Sequence, residues 1–169
     1  MNSTLTFASV ECFTHCEIGI GIHRLSAPYV KNRLPVSVVA VLFLPSIRSI
    51  KEFLEVPLPI PLYEVNGVKV YSEEENVEVT RLLSRRLREK LNVDISLSSS
   101  AGIGKGVVSV LFRNREFLIR TEVSLSDFPV VSQHLVDKRR KEGVAKGLEC
   151  LKALITGSSL PGFVEVIGG

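Results

Sequence analysis

Runs of residues typical of β-strands alternate with segments of helical spacing along the first hundred residues of this chain. Strands are predicted over residues 4–10, 36–44, 68–71 and 93–98, where Val, Ile, Leu, Phe and Thr are enriched. Helices are predicted between them, over 11–25, 46–54 and 72–92. A hairpin over 107–123 and a last helix from near Pro129 to Gly157 complete the order. This order predicts an α/β fold, a single layered domain with a mixed β-sheet flanked by helices.

Two of the predicted helices carry capping signals at their first residues. Ser72 is followed by three glutamates, so that Ser72 and Glu75 form a capping box and the acidic residues meet the positive end of the helix dipole. Thr14 and Glu17 have the same spacing, which predicts a second capping box at the start of the first helix.

Length and composition favour one domain over residues 1–157, followed by a Gly/Ser-rich C-terminal tail over 158–169. The longest apolar run, 36–44, is too short to cross a bilayer, and the first residues lack the pattern of a secretory signal. Three cysteines cannot all pair with one another, so free thiols and a cytoplasmic location are expected.

Basic residues concentrate in two helical segments and give a net charge of +3. Charged helix faces are more often solvated than engaged with nucleic acid, and the chain has no Trp to stack on bases. Nucleic-acid binding is therefore not expected. The basic residues interpreted as lying on solvated helix faces are Arg85, Arg86, Arg88 and Lys138 to Lys141.

The heptapeptide VECFTHC, residues 10–16, lies where the first strand is predicted to meet the first helix. A cysteine at a helix N-terminus is exposed to unpaired backbone N–H groups that stabilise its thiolate, and the thiolate is the nucleophile. Cys12 is thus the candidate nucleophile, and His15 is a candidate base or hydrogen-bond partner, so both are predicted catalytic residues. The alternative is that Cys12 is a small buried apolar residue and His15 an ordinary surface residue.

A metal site is a second alternative for the same heptapeptide. Cys12, His15 and Cys16 offer soft ligands on one turn, but structural zinc normally needs four ligands, and His23 and His134 are isolated in the sequence. No metal ligand is therefore predicted. A disulfide between Cys12 and Cys16 is disfavoured because it would distort a helix.

A glycine-rich stretch from Ser98 to Gly106 follows the strand predicted over 93–98. Ligands of α/β sheets bind beyond the carboxyl ends of strands, and a flexible backbone with hydroxyls and a lysine suits a phosphate. The stretch is not a Walker motif, because Lys105 is followed by Gly and then by a strand. A flexible connector is the alternative. Tyr71 and Ser72 are candidates for a polar wall of the site, although helix capping explains Ser72 without a ligand.

Four segments together resemble an otherwise uncharacterised archaeal family that includes the HcgF proteins of methanogens. They are VECFTHCEIGIGIH near the N-terminus, FLPS at 43–46, YSEEE at 71–75 and VDISLSSSAGIGKGVVSV at 93–110. The resemblance implies a role in assembling the guanylylpyridinol (FeGP) cofactor of the mono-iron [Fe]-hydrogenase. It implies that an adenylating enzyme activates the carboxyl group of guanylylpyridinol, which then forms a thioester with Cys12. Glu11, Thr14 and the stretch from Ser99 to Gly106 match segments of this family. We predict as ligand-binding residues Glu11, Thr14, Tyr71, Ser72, Ser99, Ser100, Gly102, Gly104, Lys105 and Gly106.

A more remote resemblance is to the C-terminal domain of the competence-damage family, which hydrolyses the amide of nicotinamide mononucleotide. Its cysteine-containing turn, Tyr-Ser segment and Gly-rich loop occur in the same order. This chain departs from the competence-damage pattern in having Phe13 after the cysteine and in lacking the Ser before it. It departs from the archaeal family in having Cys16 where a Gly is expected after Thr-His.

The function expected from these observations is binding of a guanylylpyridinol-like pyridine nucleotide as a thioester on Cys12. We therefore expect an acyl-transfer role that depends on an adenylating partner enzyme, and we expect no tightly bound cofactor. A homodimer is compatible with the size of the domain. The alternatives are a noncatalytic nucleotide-binding or scaffold protein and a pyridine-nucleotide amidohydrolase.

Overall fold

The computed structural model describes residues 3–127 and 131–168. Within these ranges the elements are β1 (Leu5–Glu11), α1 (Glu17–Ser26), β2 (Val36–Phe43), α2 (Ile47–Leu54), β3 (Tyr63–Val65), β4 (Val68–Val70), α3 (Glu73–Leu91), β5 (Ile95–Ser100), β6 (Gly104–Phe112), β7 (Arg115–Leu125), α4 (Gln133–Thr156) and β8 (Val164–Ile167). No helix in the described part of the chain is long and apolar enough to cross a membrane.

Six strands form one mixed sheet in the order β2-β1-β5-β6-β7-β8. The first strand pairs in parallel with β2 and β5, which require crossovers, and the later neighbours pair antiparallel. Strands β3 and β4 form a separate hairpin around Asn66-Gly67. The predicted α/β fold with a mixed sheet is confirmed.

Helices cover both faces of the sheet, and the alternation of side chains along β1 shows how. Phe7 belongs to a core cluster with Ile18 of α1 and Leu151 of α4. Its neighbour Ala8 belongs to a second cluster, with residues of α2 and α3. Because successive strand residues point to opposite faces, β1 contributes to both cores.

Small polar residues bring α3 close to β5. Ser96 Oγ donates to the carbonyl of Ser84 at 2.8 Å, Ser98 Oγ donates to the carbonyl of Thr80, and Ser100 Oγ donates to Asn76 Oδ1 at 3.0 Å. Two strand residues advance about 6.6 Å and four helix residues about 6 Å, so the two series stay in register. The ISLSSS run therefore packs against a helix over most of its length, and all six of its residues are buried.

Several element boundaries differ from the sequence predictions. The first helix begins at Glu17 and not at Glu11, because residues 12–16 form a turn. The strands around the Gly-rich stretch run to Ser100 and resume at Gly104, so the connecting loop is only residues 101–103. The predicted start of the last helix near Pro129 lies outside the described residues, and α4 is described from Gln133. Residues 164–167 form β8 on the edge of the sheet, paired with β7.

Truncating a leucine of α4 tests this packing. Leu151 is fully buried, whereas Leu135 on the same helix is 40% exposed. We expect Leu151→Ala to lower the free energy of unfolding by about 2–5 kcal/mol, since it removes buried methyl groups and leaves a cavity. Leu135→Ala is the matched control and should change it by less than about 1 kcal/mol. Urea denaturation followed by circular dichroism measures both, and equal losses would contradict the assigned packing of α4.

Candidate active site

Cys12 lies in a turn between β1 and α1, beside the end of β5. Its backbone N–H donates to the carbonyl of Ser99 at 3.2 Å and to Ser99 Oγ at 3.1 Å. The turn closes where the N–H of His15 donates to the Cys12 carbonyl at 3.1 Å. His15 and Cys16 both have positive φ, at 50° and 64°, which lets the chain reverse before the helix begins. The turn therefore depends on β5, which lies almost ninety positions away in the sequence.

The carboxylate of Glu11 caps helix α1. It is completely buried and accepts hydrogen bonds from the N–H groups of Ile18 at 3.1 Å and Gly19 at 2.9 Å. The hydroxyl groups of Ser9 and Thr14 also donate to it, at 2.8 Å and 2.6 Å. A carboxylate at a helix N-terminus is stabilised by both the free N–H groups and the helix dipole.

This arrangement corrects the predicted capping of α1. The N-cap residue is Cys16, which makes no side-chain capping bond. The hydroxyl of Thr14 instead bonds Glu11 and shares a 2.7 Å hydrogen bond with Ser99 Oγ. The prediction that Thr14 and Glu17 form a capping box is wrong, because a buried carboxylate from the preceding strand takes the helix N–H groups. For the same reason those N–H groups are not available to Cys12.

A cavity of about 200 Å³ opens beside the Cys12 turn. Its wall is mostly apolar and contains the half-buried Cys12 together with the exposed His15. The His15 ring makes an edge contact with Phe43, with 5.8 Å between the ring centroids and 71° between the planes. The complete lining is Cys12, Phe13, His15, Phe43, Pro45, Val68, Ala101, Val136 and Arg139.

A larger open groove of about 620 Å³ lies at the other end of β1, where Thr4, His23 and Arg33 line it. Ligands of α/β sheets bind at the carboxyl ends of parallel strands, and this groove lies at the amino ends of β1 and β2. It contains none of the three cysteines. The smaller cavity beside Cys12 is therefore the better candidate site.

Arg139 lies in the cavity wall, although its sequence context predicts a solvated helix face. Its side chain is 3% exposed, and Nη1 donates to the carbonyls of Gly102 at 2.7 Å and Gly104 at 3.0 Å. Burial lowers the pKa of the guanidinium to about 10, which leaves it charged at neutral pH. The interpretation of residues 138–141 as a solvated face is wrong for Arg139. Its spacing of four from Gly143 and of eight from Gly147 was the sequence signal for a buried position.

Phe13 fixes the position of α4 against the sheet. A Cβ added to Gly106 of β6 would lie 2.6 Å from the Phe13 ring, and so would a Cβ added to Gly143 of α4. The Arg139 guanidinium carbon lies 5.9 Å from the centroid of the same ring. Gly106 thus gives space to a neighbouring aromatic ring inside the protein.

The other glycines of the Gly-rich stretch also contact the chain itself. A Cβ at Gly102 would lie 2.6 Å from the Tyr71 carbonyl, and one at Gly104 would lie 2.6 Å from a Glu73 oxygen. Gly104 has a φ of 90°, which other residues rarely adopt. The backbone freedom of these glycines is therefore used for close packing.

The remaining predicted ligand-binding side chains have partners within the protein. Ser99 bonds the Cys12 turn, Ser100 donates to Asn76, and Lys105 lies 3.8 Å from Glu122. The Tyr71 hydroxyl donates to the Pro59 carbonyl at 2.7 Å, and burial raises the pKa of Tyr71 to about 12. The predicted capping box of Ser72 and Glu75 is confirmed. Of the predicted site residues, Cys12 and His15 line the cavity, and the others are not part of its lining.

Cys16 lies next to the Glu11 carboxylate. Burial, and secondly the charge of Glu11, raises the pKa of the Cys16 thiol to about 11. In residues 3–127 and 131–168 no group of three His, Cys, Asp or Glu side chains is placed to hold a metal ion. The structure therefore does not assemble Cys12, His15 and Cys16 as a ligand set.

The fold defined here is shared with solved structures of competence-damage proteins. The competence or damage-inducible protein of Enterobacter asburiae has a TM-score of 0.55 and 17% sequence identity, covering 90% of this chain and 88% of that one. The competence damage-inducible protein A of Klebsiella pneumoniae has a TM-score of 0.52 and 13% identity, covering 88% of each chain. At these identities the likeness concerns the fold alone.

Comparison of amino-acid sequences shows to which family this chain belongs. Residues 4–155 match the family described as FeGP cofactor biosynthesis protein HcgF. The chain is 34% identical over 158 residues to UPF0254 protein MJ1251 of Methanocaldococcus jannaschii, covering 86% of this chain and 93% of that one. It is 33% identical over 153 residues to the UPF0254 protein MTH1148 homolog of Methanothermobacter thermautotrophicus, covering 88% and 94%. This chain belongs to the HcgF family, as the first resemblance indicates. The resemblance to competence-damage proteins is confirmed for the fold.

The cap formed by Glu11 gives a stability prediction. A glutamine at this position has one acceptor oxygen and turns an NH₂ group toward backbone donors. We expect Glu11→Gln to lower the free energy of unfolding by about 2–3 kcal/mol, since buried N–H groups lose a charged acceptor. Glu17→Gln is the control, because Glu17 is partly exposed and pairs with Arg140 at 2.7 Å. Its cost should stay below about 1 kcal/mol. Urea denaturation compares the two, and a smaller loss for Glu11→Gln than for the control would contradict the cap.

The raised pKa of Cys16 gives a pH prediction. Alkylation of Cys16 by iodoacetamide should increase with pH up to about 11 in the folded protein. In the urea-unfolded chain it should level off above the ordinary thiol pKa of about 8.5. Because the folded pKa is the higher one, the protonated thiol favours folding below the unfolded pKa, and this contribution is lost as the pH rises through the folded pKa. Peptide mapping by mass spectrometry measures the rates, and the same midpoint in both states would contradict the prediction.

Proposed function

We propose that this protein acts in FeGP cofactor biosynthesis by binding a guanylylpyridinol-like pyridine nucleotide and holding its activated carboxyl group as a thioester on Cys12. Membership of the HcgF family supports a role in FeGP cofactor biosynthesis. The choice of Cys12 as the acyl-accepting residue is supported by the position of its half-buried thiol, which lies in the wall of a cavity at the carboxyl end of β1. Of the three cysteines, only Cys12 lines this cavity, while Cys150 is buried.

The proposed step is acyl transfer from an adenylate. A separate adenylating enzyme joins the ligand carboxyl group to AMP. The thiol of Cys12 loses its proton to His15, and the thiolate attacks the carbonyl carbon. A carbon–sulfur bond forms, the bond from that carbon to the phosphate oxygen breaks, and AMP leaves with the electron pair. The product is a thioester, which keeps the acyl group reactive for a later step.

The size and polarity of the cavity suit one end of such a ligand. Pockets that enclose whole drug-sized molecules measure about 300–1,000 Å³. A cavity of about 200 Å³ has room for the pyridinol ring, so the nucleotide part extends past the rim. The mostly apolar wall limits access of water, which protects a thioester from hydrolysis. Glu11, Thr14 and Ser99 hold the turn in this proposal, and the Gly-rich stretch with Tyr71 and Ser72 supports the rim.

Intact-mass spectrometry tests the proposal. The protein is incubated with guanylylpyridinol, ATP and an adenylating partner enzyme. We expect an adduct with the mass of guanylylpyridinol less one water, which hydroxylamine removes because it cleaves thioesters. Cys12→Ser should form no such adduct. Cys16→Ser is the matched control and should form it, since Cys16 does not line the cavity.

Two results would contradict the thioester. One is the absence of an adduct on the unsubstituted protein, and the other is its persistence in Cys12→Ser. Ligand retained by the protein without an adduct would support the alternative of noncatalytic nucleotide binding.

A further inference from the structure

Arg139 is a buried cation without an acidic partner among the described residues. Other arginines have such partners: Arg81 lies 2.8 Å from Glu116, and Arg140 lies 2.7 Å from Glu17. Arg139 contacts the carbonyls of Gly102 and Gly104 and the face of the Phe13 ring. These groups carry partial charges only, so the full positive charge has no counter-ion in the described part of the protein.

Such a charge is costly to bury. Buried charges in proteins are normally paired with an opposite charge, because a low-dielectric interior replaces the hydration shell poorly. The same cost lowers the pKa of Arg139 to about 10. An anion bound beside Arg139 would supply the missing opposite charge.

Part of the Arg139 guanidinium has no hydrogen-bond acceptor in the described part of the protein. Nη1 donates to the two glycine carbonyls, and neither Nε nor Nη2 has an acceptor among the described residues. Among the described residues, every side-chain nitrogen that is completely enclosed by protein has a hydrogen-bond partner. Arg139 is one of the residues that line the cavity. Nε and Nη2 therefore keep some exposed surface, and the residue that carries them lines the cavity. Two adjacent N–H groups of a guanidinium match the two oxygens of a carboxylate or phosphate.

Arg139 also interacts electrostatically with Cys12. The two side chains lie in the wall of one cavity of about 200 Å³, so a small ligand reaches both. Since the Glu11 carboxylate occupies the N–H groups of α1, the positive charge at this site comes from α4.

We propose that Arg139 is the anion-binding residue of this cavity, where its guanidinium binds an oxyanion of the ligand and positions the adjacent carbon beside the sulfur of Cys12. The identity of the ligand rests on the function proposed above, whereas the preference for an anion does not. In an acyl adenylate the oxyanion is the phosphate next to the carbonyl carbon, and in an unactivated ligand it is the carboxylate. A neutral amide offers no charge to Arg139, so the cavity selects carboxylic acids and acyl phosphates over amides.

Two alkylating agents of equal size test this preference. Iodoacetate carries a carboxylate and iodoacetamide a neutral amide, and with both the Cys12 thiolate forms a carbon–sulfur bond while iodide leaves. The ratio of the two rates at Cys12 is compared with the ratio for glutathione, measured by peptide mapping at neutral pH. We expect the ratio of the iodoacetate rate to the iodoacetamide rate to be about tenfold higher at Cys12 than for glutathione. This is the factor that corresponds to one charge-assisted hydrogen bond.

Competing anions separate the two sources of the oxyanion. Sodium phosphate and sodium acetate are each compared with sodium chloride at the same ionic strength. Slower reaction of iodoacetate in phosphate supports a phosphate site, and slower reaction in acetate supports a carboxylate site. No protection by either anion would contradict an oxyanion site.

Substitutions of Arg139 distinguish a role in positioning the ligand from a role in folding of the protein. Arg139→Gln should reduce the ratio to that of glutathione, and Arg139→Lys should restore part of it, because the charge returns without the guanidinium fork. Arg140→Gln is the control and should leave the ratio unchanged, since Arg140 pairs with Glu17. Circular dichroism identifies variants that fail to fold. The unsubstituted protein alone decides the proposal, because a ratio equal to that of glutathione would overturn it.

The outcomes are independent of the thioester test. Anion preference without a guanylylpyridinol adduct would contradict the proposed function and leave Arg139 as an anion-binding residue. An adduct without anion preference would contradict the role of Arg139 alone.

Discussion

The buried carboxylate of Glu11 joins the end of β1 to the first turn of α1, and the position of the cysteine turn depends on it. Four donors surround it, two of them backbone N–H groups of the helix. Thr14 bridges this carboxylate to Ser99, and Ser99 holds the backbone of Cys12. One charged group therefore links two strands and a helix, and it brings the thiol to the edge of the sheet where α/β proteins bind ligands.

The use of Glu11 as a cap has a consequence for the electrostatics of the site. A helix N-terminus stabilises a thiolate only if its N–H groups are free. Here they bond the Glu11 carboxylate. Burial, and secondly the charge of this carboxylate, raises the pKa of Cys16. The opposite charge at the cavity is supplied by Arg139 from α4, held by the carbonyls of the Gly-rich stretch. The two cysteines of one turn thus lie in different environments, with Cys16 beside a carboxylate and Cys12 interacting with a guanidinium.

Sequence patterns predicted the fold better than they predicted the site. The alternation of strands and helices, the hairpin and the capping box at Ser72 are local signals, and the structure contains all three. Thr14 and Glu17 have the same local signal and do not form a cap. The Thr14 hydroxyl bonds the buried carboxylate of Glu11 and the distant Ser99 instead, and the N-cap residue is Cys16. The Gly-rich stretch is predicted to be a flexible stretch that suits a phosphate, since sequence alone does not show that Phe13, Tyr71 and Glu73 approach its glycines.

The sequence by itself determined most of the strands and helices, with β3 and β8 as exceptions, and through the family it indicated Cys12 as the residue of interest. Periodicity carries this information because it arises within one segment and depends on the spacing of apolar residues. Only the tertiary structure decided that Arg139 is buried beside Cys12 and that Glu11 caps α1. Both facts depend on which segments, far apart in the chain, cover one another, and the environment of a charged group is set by those neighbours more than by its own residue type.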